Sequence, residues 1–179
     1  MKAMKKILCA ATFFLITICC FSQPVIFQDN FEKGRMNASW IYSSGQWSVA
    51  NLERLSMPGS SPGNIFALTS NGPSTISTDI SIIPQPTSQS QHLIFFYKIH
   101  SKDAKGTVEL LFFDQAGNSI GTFQFTELRE MPAWSYFDEE FKIPAGTALI
   151  RLKFGFHLTH SPITIYLQQV CVGCNRRGT

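Results

Sequence analysis

The chain has 179 residues, of which 15 are basic and 12 acidic, and 44% of its side chains are hydrophobic, 16 of them phenylalanines. Its formal charge of +3 is matched by Lys2, Lys5 and Lys6, so the remainder is neutral and has no long-range attraction for nucleic acid or anionic membranes. The length suits one domain with a sizeable core, and the low charge with abundant Ser, Thr, Gly and Pro suits β structure better than helix.

The N-terminal lysines precede an apolar run over 7–21, followed by Ser22 and Gln23. A positive region, an apolar region and small residues at Cys20 and Ser22 make a signal peptide, with cleavage expected after Ser22. The run is shorter than the ~20 residues a membrane-spanning helix needs. The expectation is a secreted single domain over 23–179 with no membrane span. Cys9, Cys19 and Cys20 leave with the leader, and Cys171 and Cys174 stay.

No later segment sustains helical periodicity beyond about two turns. Short β-rich runs are expected at 25–31, 40–50, 65–69, 75–83, 93–100, 107–114, 119–125, 134–143, 148–158 and 163–172. Turn residues separate them, among them Ala116-Gly117-Asn118, Pro144-Ala145-Gly146 and His160-Ser161-Pro162. About ten such strands predict an all-β, antiparallel β-sandwich of the jelly-roll kind. In 148–158, Ile150, Leu152, Phe154 and Phe156 share one face, and Arg151, Lys153 and His157 share the other. The run 93–100 is apolar on both faces, which predicts a central strand or one whose outer face is covered by a loop.

Several constellations bear on chemistry. In 134–143, Phe137, Phe141 and Ile143 form the core side. Unless a bulge intervenes, Trp134 and Tyr136 then lie on the outer side with Asp138 and Glu140. Sugars present flat C–H faces, so exposed Trp or Tyr beside polar groups makes a glycan platform. The expected ligand set is Trp134, Tyr136 and Asp138, with Arg151 and His157 from the next strand. Trp40 and Trp47 are expected in the core. Asp138, Glu139 and Glu140 also supply paired carboxylates at a spacing that glycoside cleavage can use. No Gly-x-Ser-x-Gly elbow exists, and a non-catalytic role is expected. Cys171-Val172-Gly173-Cys174 predicts a short-range disulfide in an exported chain. A zinc site joining these cysteines to His157 and His160 is the alternative. Asn37-Ala38-Ser39 fits an N-glycosylation acceptor.

The opening Phe27-Gln28-Asp29-Asn30-Phe31-Glu32, with Gly34, Trp40 and Gly45-Gln46-Trp47, resembles the start of exported jelly-roll modules. Trp134-Ser135-Tyr136, Phe141-Lys142-Ile143-Pro144-Ala145-Gly146, Ile150-Arg151-Leu152-Lys153-Phe154 and Ile165-Tyr166-Leu167 extend the resemblance along nearly the whole domain. The group includes carbohydrate-binding modules, MAM-like domains and Bacteroidetes adhesion-type domains. The resemblance implies glycan binding or adhesion at a cell surface or matrix, or a structural matrix role with no small ligand. It also implies a structural Ca2+ held by Asp29, Glu32 and a residue of the last strand. That last position is Gln168 here instead of an acid, and the lost charge should weaken the site.

Overall fold

The structure is a computed structural model and describes residues 25–31, 34–52, 65–101, 104–125, 127–157 and 164–174. The expected leader, Glu32 and His160 lie outside the described residues. Among the described residues there is no helix, and eleven strands form two antiparallel sheets. They are β1 Phe27–Asp29, β2 Trp40–Ser44, β3 Trp47–Leu52, β4 Ile65–Asn71, β5 Ser74–Ser81 and β6 Gln89–His100. The rest are β7 Lys105–Phe113, β8 Ser119–Gln124, β9 Met131–Ile143, β10 Leu149–His157 and β11 Thr164–Val172. The first sheet runs β3-β4-β11-β6-β9, with β1 also on β11. The second runs β2-β5-β10-β7-β8. This is the all-β jelly-roll sandwich the strand pattern predicts.

One expected strand is two. The run 40–50 breaks at Gly45, whose φ is +80°, a conformation costly for any residue with a Cβ. A Cβ there would also lie 2.4 Å from that of Ser74. The chain turns at this point, so β2 joins one sheet through β5 and β3 joins the other through β4. Alternation within a single strand cannot show such a crossing, because both halves bury a tryptophan. Trp40 and Trp47 retain 6% and 7% exposure, as core residues should.

The inner faces interlock through aromatic rings. Phe95 of β6 stacks on Phe137 of β9 at 4.4 Å and meets Phe154 of β10 edge-on at 5.2 Å across the sandwich. Trp47 meets Phe156 at 6.0 Å, and Phe112 meets Phe141 at 6.3 Å. Offset and edge-on pairs of this kind add to the stabilisation from burial. The apolar residues of β6 have the expected cause: the strand lies between β11 and β9.

β11 contains the irregularity that matters for the site. It pairs with β4 as far as Leu167 and with β1 from Val170, and its register on β6 slips between Gln168 and Cys171. Gln169 takes the slip with a φ of +49°. The bulge returns Val170 to the core and leaves Gln168 opposite Phe96, on the outer face.

Candidate functional site

The outer face of the first sheet carries a cluster of aromatic side chains. Phe137, Phe141 and Ile143 point into the core, so the alternate positions Trp134, Tyr136, Asp138 and Glu140 of β9 point outward. The register on β6 sets Tyr136 beside Phe96, and their rings are 5.1 Å apart. Tyr136 is 46% exposed, and Trp134 is half-buried. On the far side of β6, Tyr166 of β11 lies 6.3 Å from Trp134 and meets His100 edge-on at 6.1 Å. The face therefore has an aromatic floor of Trp134, Tyr136, Phe96 and Tyr166.

Polar atoms sit within this floor. The indole N–H of Trp134 and the amide oxygen Oε1 of Gln168 are enclosed and have no hydrogen-bond partner. Lys98, opposite Tyr166, is among the buried charged residues. At the other end of the face, Nδ1 of His92 and Oδ1 of Asp138 are 2.7 Å apart. His92 also stands opposite Glu140 in the register. Burial, and then the Lys98 charge, lower the pKa of His100, while Glu130 works in the opposite direction. His100 is thus neutral near pH 7 and offers hydrogen bonds without a charge.

Because the folded pKa of His100 is depressed, the folded state holds its full advantage above the unfolded value of 6.5. It loses that advantage as pH falls from 6.5 through the folded pKa. An NMR titration of His100 should show a midpoint below 6.5, and Lys98→Met should move it upward. A midpoint unmoved by Lys98→Met would mean that the Lys98 charge does not act on this face.

The expected ligand set is divided between two faces. Trp134, Tyr136 and Asp138 lie together on β9, but Arg151 and His157 belong to β10, in the other sheet. This is a correction to the expected site, and its cause is connectivity. The turn after Ile143 carries the chain across the sandwich, so β9 and β10 are not neighbours. Arg151 instead makes a two-pronged ion pair with Asp79, at 2.6 and 2.8 Å, and lies over the Phe113 ring. Lys153 pairs with Glu109 at 3.1 Å. These cross-strand pairs hold the outer face of the second sheet. Arg151→Ala should cost no more than about 1 kcal/mol of stability, because the pair is partly exposed. Glycan affinity should not change in Arg151→Ala or His157→Ala, as titration calorimetry would show. A clear loss in either would move the site to the second sheet.

The expected calcium ligands do not converge. Asp29 points inward from β1, where Oδ1 accepts the N–H of Phe31 at 2.9 Å. Its Oδ2 accepts from the Trp40 indole at 2.8 Å and from the Asn37 backbone at 3.3 Å. A carboxylate surrounded by three N–H donors is a poor calcium ligand, since few lone pairs remain. Gln168 lies on the opposite, outward side of β11. The described members of the set therefore do not fit the ion, and among the described residues no group of three metal-ligating side chains assembles. Cys171 and Cys174 are disulfide-bonded, with Cα atoms 6.0 Å apart, and His157 stands on the other sheet, so the zinc alternative does not assemble either.

Sequence reasoning missed Phe96, Lys98, His100 and Tyr166 as partners of Trp134. The signal was present for β6, where the two-sided apolar pattern put Phe96 on the outer side. What the sequence lacked was the strand order that sets β6 between β9 and β11.

No protein-family profile matches the chain, and no curated protein matches it. Solved structures do. The xylan-binding first family-22 carbohydrate-binding module of Paenibacillus barcinonensis Xyn10C is 13% identical, with a TM-score of 0.56 over 83% of this chain and 93% of that one. A second module of carbohydrate-binding family 16 is 14% identical, with a TM-score of 0.57 over 83% and 98%. The enzymatically active domain of bacteriophage CBA120 tailspike protein 4 is 14% identical, with a TM-score of 0.54 over 75% of this chain but only 19% of that one. At these identities the likeness is one of architecture, and the chain has the jelly-roll fold of carbohydrate-binding modules.

Proposed function

We propose that the protein is a secreted or surface-associated glycan-binding module, without catalytic activity, that holds its ligand on the outer face of the first sheet. The observation that carries this reading is the aromatic floor of Trp134, Tyr136, Phe96 and Tyr166, interrupted by polar atoms that lack partners. Sugar rings stack their C–H faces on such side chains, and their hydroxyls satisfy amide, imidazole and indole groups at the edges. Two of the folds it shares are named as carbohydrate-binding modules, which supports the same reading. A role in adhesion would follow from glycan recognition and needs no further site. The paired carboxylates of β9 favour cleavage less, because Asp138 is held by His92 and the face is an open sheet.

Tryptophan fluorescence tests the proposal directly. Trp40 and Trp47 are core residues, so Trp134 alone among the three tryptophans can report ligand. Titration with soluble xylan, galactan, glucomannan and polygalacturonate is expected to shift and quench the emission for at least one of them. Binding that leaves the emission unchanged would place the ligand elsewhere. No binding across the panel would favour a structural role.

A further inference from the structure

The glycan face has an unusual cation. Lys98 sits near the C-terminal end of β6, on its outer side, and retains 7% exposure. Its neighbours explain this burial. Trp134 stands on one side, where the register of β6 on β9 breaks between Tyr97 and Ile99, and Tyr166 stands on the other. Strands β9 and β11 are two strand spacings apart, about 10 Å, yet the two rings approach to 6.3 Å. The rings therefore lean toward each other across β6, on the face that carries Lys98. Among the described residues the ammonium has no ion-pair or hydrogen-bond partner. The ammonium is not among the enclosed atoms, so the stem is buried while the charged end reaches the outer face, open to an anion. Two further atoms around it also lack partners, the Trp134 indole N–H and Oε1 of Gln168. The first is a second donor. The second belongs to the residue diagonal to Lys98 in the ladder, since Gln168 pairs with Phe96 and Tyr166 with Lys98.

We infer that this face recognises an acidic polysaccharide, with the carboxylate of a hexuronate residue seated on Lys98 and the Trp134 N–H. A carboxylate offers two acceptor oxygens, which matches one ammonium and one indole N–H. The pyranose ring stacks on the flanking aromatics, and a hydroxyl donates to Gln168 Oε1. The ligand then supplies the missing counter-ion, and binding occurs in a partly desolvated setting where a charge pair is strong. The assignment rests on the aromatic face being the glycan site, and its test separates the two.

The probes are polygalacturonate, the same polymer with its carboxyls reduced, neutral xylan and dextran sulfate. Wild-type protein is expected to bind polygalacturonate at least about ten-fold more tightly than the reduced polymer, with affinity falling as salt rises. Lys98→Met keeps the stem, should fold as well as or better than wild type, and should remove that preference while retaining weak binding to both. Lys98→Arg should restore part of it. Equal binding of the acidic and reduced polymers by wild type overturns the carboxylate assignment and leaves the glycan proposal standing. A preference that survives in folded Lys98→Met overturns the role of Lys98. Tighter binding of dextran sulfate than of polygalacturonate, lost in Lys98→Met, overturns the hexuronate in favour of a sulfated glycan. Binding to none of the four, or binding that Trp134→Ala leaves unchanged, fails the underlying glycan proposal on this face.

Discussion

Trp134→Ala is expected to weaken glycan binding by about thirty-fold, or ~2 kcal/mol, the range of an aromatic anchor at the centre of an interface. The effect on folding should be small, and the reason lies in the present state of the indole. Trp134 stands on the outer face and contributes nothing to the inter-sheet packing of Phe95, Phe137 and Phe154. Its N–H is enclosed without an acceptor, so the folded protein already bears the cost of an unsatisfied donor of about 1–3 kcal/mol. Removing the side chain relieves that cost while losing the contact with Tyr166, and the two partly cancel. Trp134→Phe removes the donor and keeps a ring, so it should leave stability unchanged or slightly raised and retain part of the affinity. Calorimetric titration with thermal melts of the same samples separates the effects. A Trp134→Ala protein with wild-type affinity would show that the ring is not an anchor. A Trp134→Ala protein that unfolds near room temperature would show that it belongs to the core after all. Trp47→Ala is the contrasting case, since loss of a buried ring packed on Phe156 should cost about 3–5 kcal/mol of stability.

A residue of this kind, unsatisfied in the free protein and placed for a partner, also marks how far the sequence could be read. Alternation within β9 shows that Trp134 and Tyr136 oppose Phe137 and Phe141, because one strand contains the whole argument. Alternation within β10 likewise separates Arg151 and Lys153 from Ile150, Leu152 and Phe154. What alternation cannot show is which strands are neighbours. β9 and β10 follow one another in the chain yet lie in different sheets, and β9 pairs with β6, whose residues lie some 40 positions earlier in the register. The ligand set drawn from consecutive strands therefore joined two faces that never meet. The division at Gly45 has the same origin, since a continuous β-rich run gives no sign that its halves serve different sheets. The bulge at Gln169 is harder still. It turns on one residue with positive φ, and glutamine is not a residue type that announces such a conformation. Nothing in the local sequence reveals that Gln168 faces away from Asp29.

The corner around Asp29 provides the second large expected effect, on stability. Asp29→Asn should destabilise the protein by about 2–4 kcal/mol, since charge-assisted hydrogen bonds are lost and buried donors are left unpaired. Asparagine is isosteric with aspartate but has one acceptor atom where the carboxylate has two. If its oxygen takes the place of Oδ2, it still receives the Trp40 indole and the Asn37 N–H, but its NH2 group then faces the N–H of Phe31. If it is flipped, the NH2 group faces the other two. Either way donors oppose donors. Phe31 adds to the loss. Its φ is +57°, its ring is buried, and the hydrogen bond from its N–H to Asp29 holds that strained backbone in place. The melting temperature should fall by about 5–15 °C for a domain of this size. Calcium and EDTA discriminate between the hydrogen-bonded corner and a metal-braced one. With three N–H donors already on the carboxylate, neither 5 mM-scale addition nor chelation should move the melting temperature by more than about 1 °C, because an ion that does not bind the native state cannot stabilise it. A rise with calcium that disappears in Asp29→Asn would show that the carboxylate exchanges its donors for the ion, and that the last strand needs no acid at Gln168 for the site to form.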